Sequence, residues 1–272
     1  MNRKNPYKID APFYVSFSGG RTSGYLLRHV LDAFGGQLPN GCHVLFANTG
    51  KEHQSTLEFV HEVEKRWCPV TWLEFRNADP IPVFQVVTFE TASRDGLPFR
   101  QLNERFDYLP NAVSRSCTGQ LKVSTMQRYL RSTGVKIADI TAILGLRADE
   151  PRRVARVKND ETRNLAVPLA DAGVTRDDVN SWWSKQEFDL RLPDNDDAYG
   201  NCDLCFLKSR AKIERIMERE PERASWWIEQ ETIKGKPFRA DRGTYKQILH
   251  QVTIQGKLFG GEDDSIPCDC TE

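Results

Sequence analysis

The stretch that decides the fold runs from Phe13 to Leu27 and reads FYVSFSGGRTSGYLL. Residues 13–17, FYVSF, are a short β-rich run that stops at Ser18-Gly19-Gly20. Apolar residues at helical spacing follow, through Tyr25, Leu26, Leu27, Val30 and Leu31, and end near Gly35-Gly36. A strand, a glycine turn and a helix in succession open a βαβ pattern.

The same rhythm continues outward. Residues 43–47, HVLFA, read as a second strand closed by Asn48-Thr49-Gly50, with a helix from Gln54 carrying Leu57, Val60, His61 and Glu64. A third strand fits 70–75, VTWLEF, and a long connection is expected over 76–113. A helix fits 118–132, and ITAILGL at 140–146 reads as a buried strand. The fold class expected is α/β, a doubly wound, mainly parallel sheet of Rossmann-like type. Such a sheet binds its ligand outside the carboxyl ends of the strands, where Ser18, Asn48 and Gly145 all fall.

From about residue 170 the texture changes. VTRDDVNSWW looks like a helix start, with Thr175 as N-cap and Asp178 at the third position after it. A polar, proline-containing loop at 191–201 precedes two charged amphipathic helices, Lys208 to Arg219 and Glu222 to Glu231. Residues 1–169 are therefore expected as the α/β domain. Residues 170–272 are expected as a C-terminal helical region packed on it.

Composition narrows the class of function. Lys+Arg and Asp+Glu both number 38, so the formal net charge of the 272 residues is zero. That argues against a dedicated nucleic-acid coat or an anionic-membrane binder. No apolar run approaches the ~18 residues that span a bilayer. The segment MNRKNPYKIDAPF lacks the apolar core of a signal peptide, so a cytoplasmic location and no membrane partner are expected. Seven cysteines in a reducing compartment are then no disulfide framework.

Residues Ser18 to Ser23, SGGRTS, have the chemistry of an anion site. Glycines let backbone amides approach a ligand, and the helix behind directs its unsatisfied N–H groups and positive dipole end into the turn. Ser18, Thr22 and Ser23 add hydroxyls and Arg21 a cation. The GxxxxGK[ST] pattern of a P-loop is absent. SGGRTS resembles instead the SGGxxS signature of the PP-loop, or adenine-nucleotide α-hydrolase-like, superfamily. Four further segments are similar to its phosphoadenosine phosphosulfate (PAPS) reductase-related branch: FANTGKE at 46–52, SRSCTGQLK at 114–122, GLRADEPRR at 145–153 and GNCDLCFLK at 200–208. They occur in the expected order over most of the chain.

The resemblance implies an adenine nucleotide, ATP or PAPS, with its phosphates on Ser18, Gly19, Gly20, Arg21, Thr22 and Ser23. It implies Ala47, Asn48 and Thr49 beside adenine and ribose, and Gly145 and Arg147 at the phosphate or sulfate end. A strand-end arginine is well placed for bidentate phosphate contacts, which makes Arg147 the first catalytic candidate; the competing reading is a salt bridge with Asp149 or Glu150. These two carboxylates are candidates for holding Mg²⁺ between phosphates.

The cysteines suggest a metal centre. Cys202 and Cys205 form CxxC, Cys117 begins a predicted helix whose dipole would favour its thiolate, and Cys268 and Cys270 form CxC near the last residue. CxxC serves zinc, iron–sulfur and redox chemistry alike. The resemblance favours a 4Fe–4S cluster over zinc, with Cys117, Cys202 and Cys205 as ligands. The fourth position would be Cys268 or Cys270, a substrate atom or solvent. Cys42 and Cys68 read as inert buried thiols, and His29, His43, His53, His61 and His250 show no metal-ligand spacing.

Two reactions compete. An ATP pyrophosphatase would adenylate a substrate and help install sulfur; a sulfonucleotide reductase would form sulfite from PAPS. Reductases of the family carry an altered loop and a Glu-Cys-Gly-[Ile/Leu]-His tail. Here the loop is intact and that tail is missing, so the first reading leads. In the second, Cys268 or Cys270 would be the catalytic thiolate. A sulfur- or electron-donor protein is an expected partner of either. A third reading is a non-catalytic nucleotide- or DNA-associated module using the basic runs Arg147, Arg152, Arg153, Arg156, Lys158 and Lys208, Arg210, Lys212, Arg215. Solvated helix faces explain those runs more simply. Trp182-Trp183 and Trp226-Trp227 are expected to anchor helices rather than stack bases.

Overall fold

In the computed structural model, which describes residues 5–255, the first strand β1 is Phe13–Ser16, and its side chains alternate across the sheet. Phe13 and Val15, with Phe17 just beyond, join one core. Tyr14 joins another on the opposite face, where Ser16 Oγ lies 3.6 Å from Met126 Sδ. The chain then forms α1 (Arg21–Ala33), β2 (His43–Asn48), α2 (Gln54–Arg66), β3 (Thr71–Arg76), β4 (Val83–Val87) and α3 (Leu97–Arg105). A π-helical segment, Cys117–Ser124, runs into α4 (Thr125–Ser132), followed by β5 (Thr141–Ile143), α5 (Pro151–Lys158) and β6 (Leu165–Ala166). Five helices follow: α6 (Pro168–Asp171), α7 (Arg176–Trp183), α8 (Arg210–Arg219), α9 (Ala224–Lys234) and α10 (Tyr245–Gln255).

The six strands form one sheet in the order β4-β3-β2-β1-β5-β6. Every pairing is parallel except β3 with β4. Parallel strands need crossovers, and helices cover both faces, which is the doubly wound α/β architecture expected. The connection expected over 76–113 in fact contains β4 and α3. β4 is an edge strand behind prolines with Val83 and Val86 about half exposed, so it carries little of the buried alternation that marks a strand. The strand expected over 140–146 is only Thr141–Ile143.

Three apolar cores hold these layers. Helices α1, α2 and α7 share the first with β1 and β2, and Gly24 is where α1 meets α7: a Cβ there would lie 2.7 Å from Trp183 Cζ2. Trp183 Nε1 donates to the Arg21 carbonyl at 2.7 Å, so this tryptophan is an anchor, as expected. Thr175 caps α7 through a reciprocal box with Asp178. Helix α4 fills the second core, on the opposite face. The third joins α3 and Leu121 of the π-helical segment to Phe206, Trp227, Tyr245 and Ile248. The position 169/170 falls inside α6, and α7 belongs to the first core while α8 to α10 belong to the third. No helix among the described residues is long and apolar enough to cross a membrane.

Candidate functional site

The turn after β1 is shaped by one glycine. Gly19 has φ +78°, and a Cβ there would lie 2.7 Å from Thr56 Cγ2 and 2.9 Å from Val60 Cγ2. Only glycine fits this backbone and this contact with α2. Gly20 is the N-cap of α1 and has no side chain with which to cap it. Ser23 Oγ meets Ser18 Oγ at 3.0 Å and accepts from Gly20 N at 3.3 Å, so the two serines brace the turn. The first-turn amides of α1 are left facing the cleft, which suits an anion.

That cleft has a volume of about 390 Å³ and is walled on one side by Ser18 to Thr22. The size is ordinary for a small-molecule site. Thr56 also lines it; its residue is buried and its hydroxyl has no hydrogen-bond partner. A buried hydroxyl in that condition is costly unless a ligand or water meets it.

Arg147 reaches the cleft from the β5 side, and its NH1 donates to Thr22 Oγ1 at 3.0 Å. Its Nε also pairs with Asp149 at 2.9 Å, the salt bridge that the competing reading expects. Asp149 also accepts from Arg176 N at 3.3 Å, while Glu150 pairs with Arg153 and accepts from Arg147 N. Both carboxylates are thus engaged by arginines and the α7 terminus. Arg21, expected among the phosphate ligands, lines the cleft but forms a bidentate pair with Asp189 at 2.7 and 2.6 Å. Its charge is largely spent on holding residues 189–190 against α1.

Ala47, Asn48 and Thr49 are not among the residues lining this cleft. Ala47 packs into the second core. Asn48 donates to buried Glu74 at 2.6 Å, and Glu74 also accepts from Ser93 and Arg76. Thr49 Oγ1 lies 3.4 Å from Cys202 Sγ. Gly145 is buried two residues before Arg147.

Just after β2, Thr49 thus meets the cysteine loop. Cys117, Cys202 and Cys205 are all buried in the third core. An isolated bridge pairs Glu52 with Cys202, Asp203 N donates to the Lys51 carbonyl at 2.7 Å, and Lys51 Nζ pairs with Asp203 at 3.1 Å. Asp203 further accepts from Trp227 Nε1 at 2.9 Å and from Leu204 N at 2.7 Å. Lys208 donates to the carbonyls of Cys202 and Asp203. It is buried, not on the solvated helix face the sequence suggests.

Burial pushes the Cys117 thiol up to about 12, with Cys205 adding to it and Lys122 pulling the other way. Burial also raises Cys202, with Glu52 adding to it, and raises Cys205 against the pull of Lys208. Lys122 is pushed down by burial, but Cys202, Glu52, Cys117 and Cys205 outweigh this and raise it. Three soft donors and buried cations sharing one apolar volume fit thiolate ligation, which releases protons on binding. Among the described residues, no group of three His, Cys, Asp or Glu side chains converges to hold a single metal ion. Cys268 and Cys270 lie outside the described residues. Cys42 and Cys68 are half-buried thiols raised by burial, Cys68 to about 11. His53 is the N-cap of α2, accepting from Ser55 N.

The opposite wall of the cleft is the part the sequence did not single out as a ligand site. The strap from Leu192 to Asn201 contains Asp194, Asn195 and Asn201 at φ between 50° and 57°, a backbone that Asn and Asp tolerate best. Its acids pair with bases of α7 and α8: Asp196 with Arg215 at 2.8 Å, Asp194 with Arg219 at 2.7 Å, and Asp197 with Arg176 and Lys212. The only hint in the sequence is the Asp-Asn-Asp-Asp run facing a basic helix.

Residues 12–188 match the family model described as the phosphoadenosine phosphosulfate reductase domain. A nin region protein of Escherichia phage lambda, ORF290, described as uncharacterized, is 32% identical over 261 residues, covering 92% of this chain and 85% of that protein. A solved PAPS reductase from Candida auris, in a phosphate complex, superposes with TM-score 0.40 at 14% identity, over 67% of this chain and 79% of that chain. With a six-stranded, mainly parallel sheet and a family match running from β1 through α7, the chain belongs to the phosphoadenosine phosphosulfate reductase domain family.

Proposed function

We propose that the protein is a cytoplasmic ATP pyrophosphatase of this family that adenylates an acceptor in the course of sulfur transfer. One observation carries the reading: the intact Ser18–Ser23 turn, whose uncapped helix amides face a cleft shared with Thr56 and Arg147. A nucleophile on the acceptor attacks the α-phosphorus, the α–β bridging P–O bond breaks, and the electron pair leaves with diphosphate. The residues supply positioning and charge neutralisation: amides and hydroxyls of the turn on one side, the Arg147 guanidinium on the other; a Mg²⁺ ion carried in with the nucleotide would add to that neutralisation. Cys117, Cys202 and Cys205 would hold the 4Fe–4S cluster. When bound, it supplies electron transfer or an iron site for sulfur.

The second reading, a sulfonucleotide reductase, is favoured by the family match over residues 12–188. There the thiolate of Cys268 or Cys270 would attack the sulfate sulfur, the S–O bond would break, and a dithiol donor would supply two electrons to release sulfite. Anaerobically prepared protein assayed for metal and for ATP against PAPS binding separates these readings. Equal iron and acid-labile sulfide, with ATP bound in preference, is expected. Stoichiometric zinc would sink the cluster, and tight PAPS binding with ATP ignored would reverse the order.

A further inference from the structure

Resting on the reading of the cleft as a polyphosphate site, we propose that Arg176 and Lys212 form a second anion subsite there, for diphosphate, guarded by Asp197. Both residues line the same cleft as Ser18 to Thr22. They come from the first turn of α7 and from α8, and they meet at a single oxygen: Asp197 Oδ2 lies 3.0 Å from Arg176 NH2 and 3.2 Å from Lys212 Nζ. Burial raises the Asp197 carboxyl, but Arg176 and Lys212 outweigh this and hold it below the usual carboxylate range.

The charges are arranged in a continuous rail. Arg147 binds Thr22 and Asp149, Asp149 receives Arg176 N, and the Arg176 side chain meets Asp197, which also holds Lys212. Two cations on one carboxylate leave a surplus positive charge opposite the phosphate turn. Arg176 and Asp197 are about half exposed, so the pairs that hold them are weak and screened. A diphosphate carries more charge than one carboxylate and offers several acceptors, so it displaces Asp197 and takes both cations. The chain's own acid acts as a stand-in for the ligand, keeping the two bases apposed beforehand. As the α–β bond of ATP breaks, charge accumulates on the departing diphosphate, and the subsite neutralises it from the side away from the turn.

The test is calorimetric titration of the full chain with inorganic diphosphate, ATP and AMP. R176Q and K212Q should each weaken diphosphate and ATP binding about three- to tenfold and leave AMP unchanged, as expected for one partly exposed charge. D197N should tighten diphosphate binding about threefold or more while lowering the unfolding midpoint, a combination that a purely structural ion pair does not produce. Unchanged diphosphate affinity in all three variants, or no diphosphate binding by the wild-type chain, overturns the subsite. If the diphosphate pattern holds while ATP is never cleaved, the subsite stands and the pyrophosphatase reading falls.

Discussion

Replacing Asp203 by alanine should destabilise the protein by about 3–5 kcal/mol in urea unfolding, the range for leaving a buried charge without its partner. Asp203 and Lys51 are both nearly inaccessible and lie 3.1 Å apart. The same carboxylate accepts from Trp227 Nε1 and Leu204 N, so its removal strands a lysine and an indole N–H together. The loss falls between Cys202 and Cys205, where the pair joins the end of β2 to the cysteine loop, so D203A should also take up less iron on anaerobic reconstitution. The double substitution Lys51→Met with Asp203→Leu removes both charges and should recover much of the stability. If D203A unfolds at the wild-type urea concentration, the ion pair is not what holds the two halves of the site.

The second large effect is at Arg147. Arg147→Lys should lower kcat/KM for AMP formation from ATP on the order of 10²-fold, because an ammonium keeps the charge but loses the planar fork. The wild-type guanidinium spans Thr22 Oγ1 and Asp149, and one lysine nitrogen cannot serve both positions and a phosphate. Steady-state kinetics would show it. An unchanged kcat/KM would reduce Arg147 to a salt-bridge partner of Asp149.

The glycine turn after β1 was legible in the sequence because its cause is local: a strand, two glycines and a helix start, within which only Gly19 needs its special backbone. The alternation of Phe13, Val15 and Phe17 against Tyr14 and Ser16 announced a two-faced sheet for the same reason. β4 was hidden because two of its three valines face solvent, and β6 because two residues carry no periodicity. The pair of Arg21 with Asp189 joins residues distant in sequence, so nothing local announces it. Lys208 looked solvated because a charged helix follows it, yet the carbonyls of the CxxC loop draw it inside. Arg176, Lys212 and Asp197 meet only when α7, α8 and the strap are brought together, and spacing along the chain encodes none of that. Cys117 shows the limit of a local rule: a helix start favours a thiolate, but the burial in the third core that raises this thiol comes from residues distant in sequence.

In the proposed function the intact turn at Ser18–Ser23 serves ATP cleavage between the α and β phosphates. Anaerobically reconstituted protein incubated with Mg²⁺ and ATP labelled separately at the α and γ phosphates, with products resolved chromatographically, tests it most directly. Label is expected in AMP or an adenylated acceptor, and in diphosphate. Label in ADP and orthophosphate, or intact ATP beside sulfite released from PAPS, would contradict it.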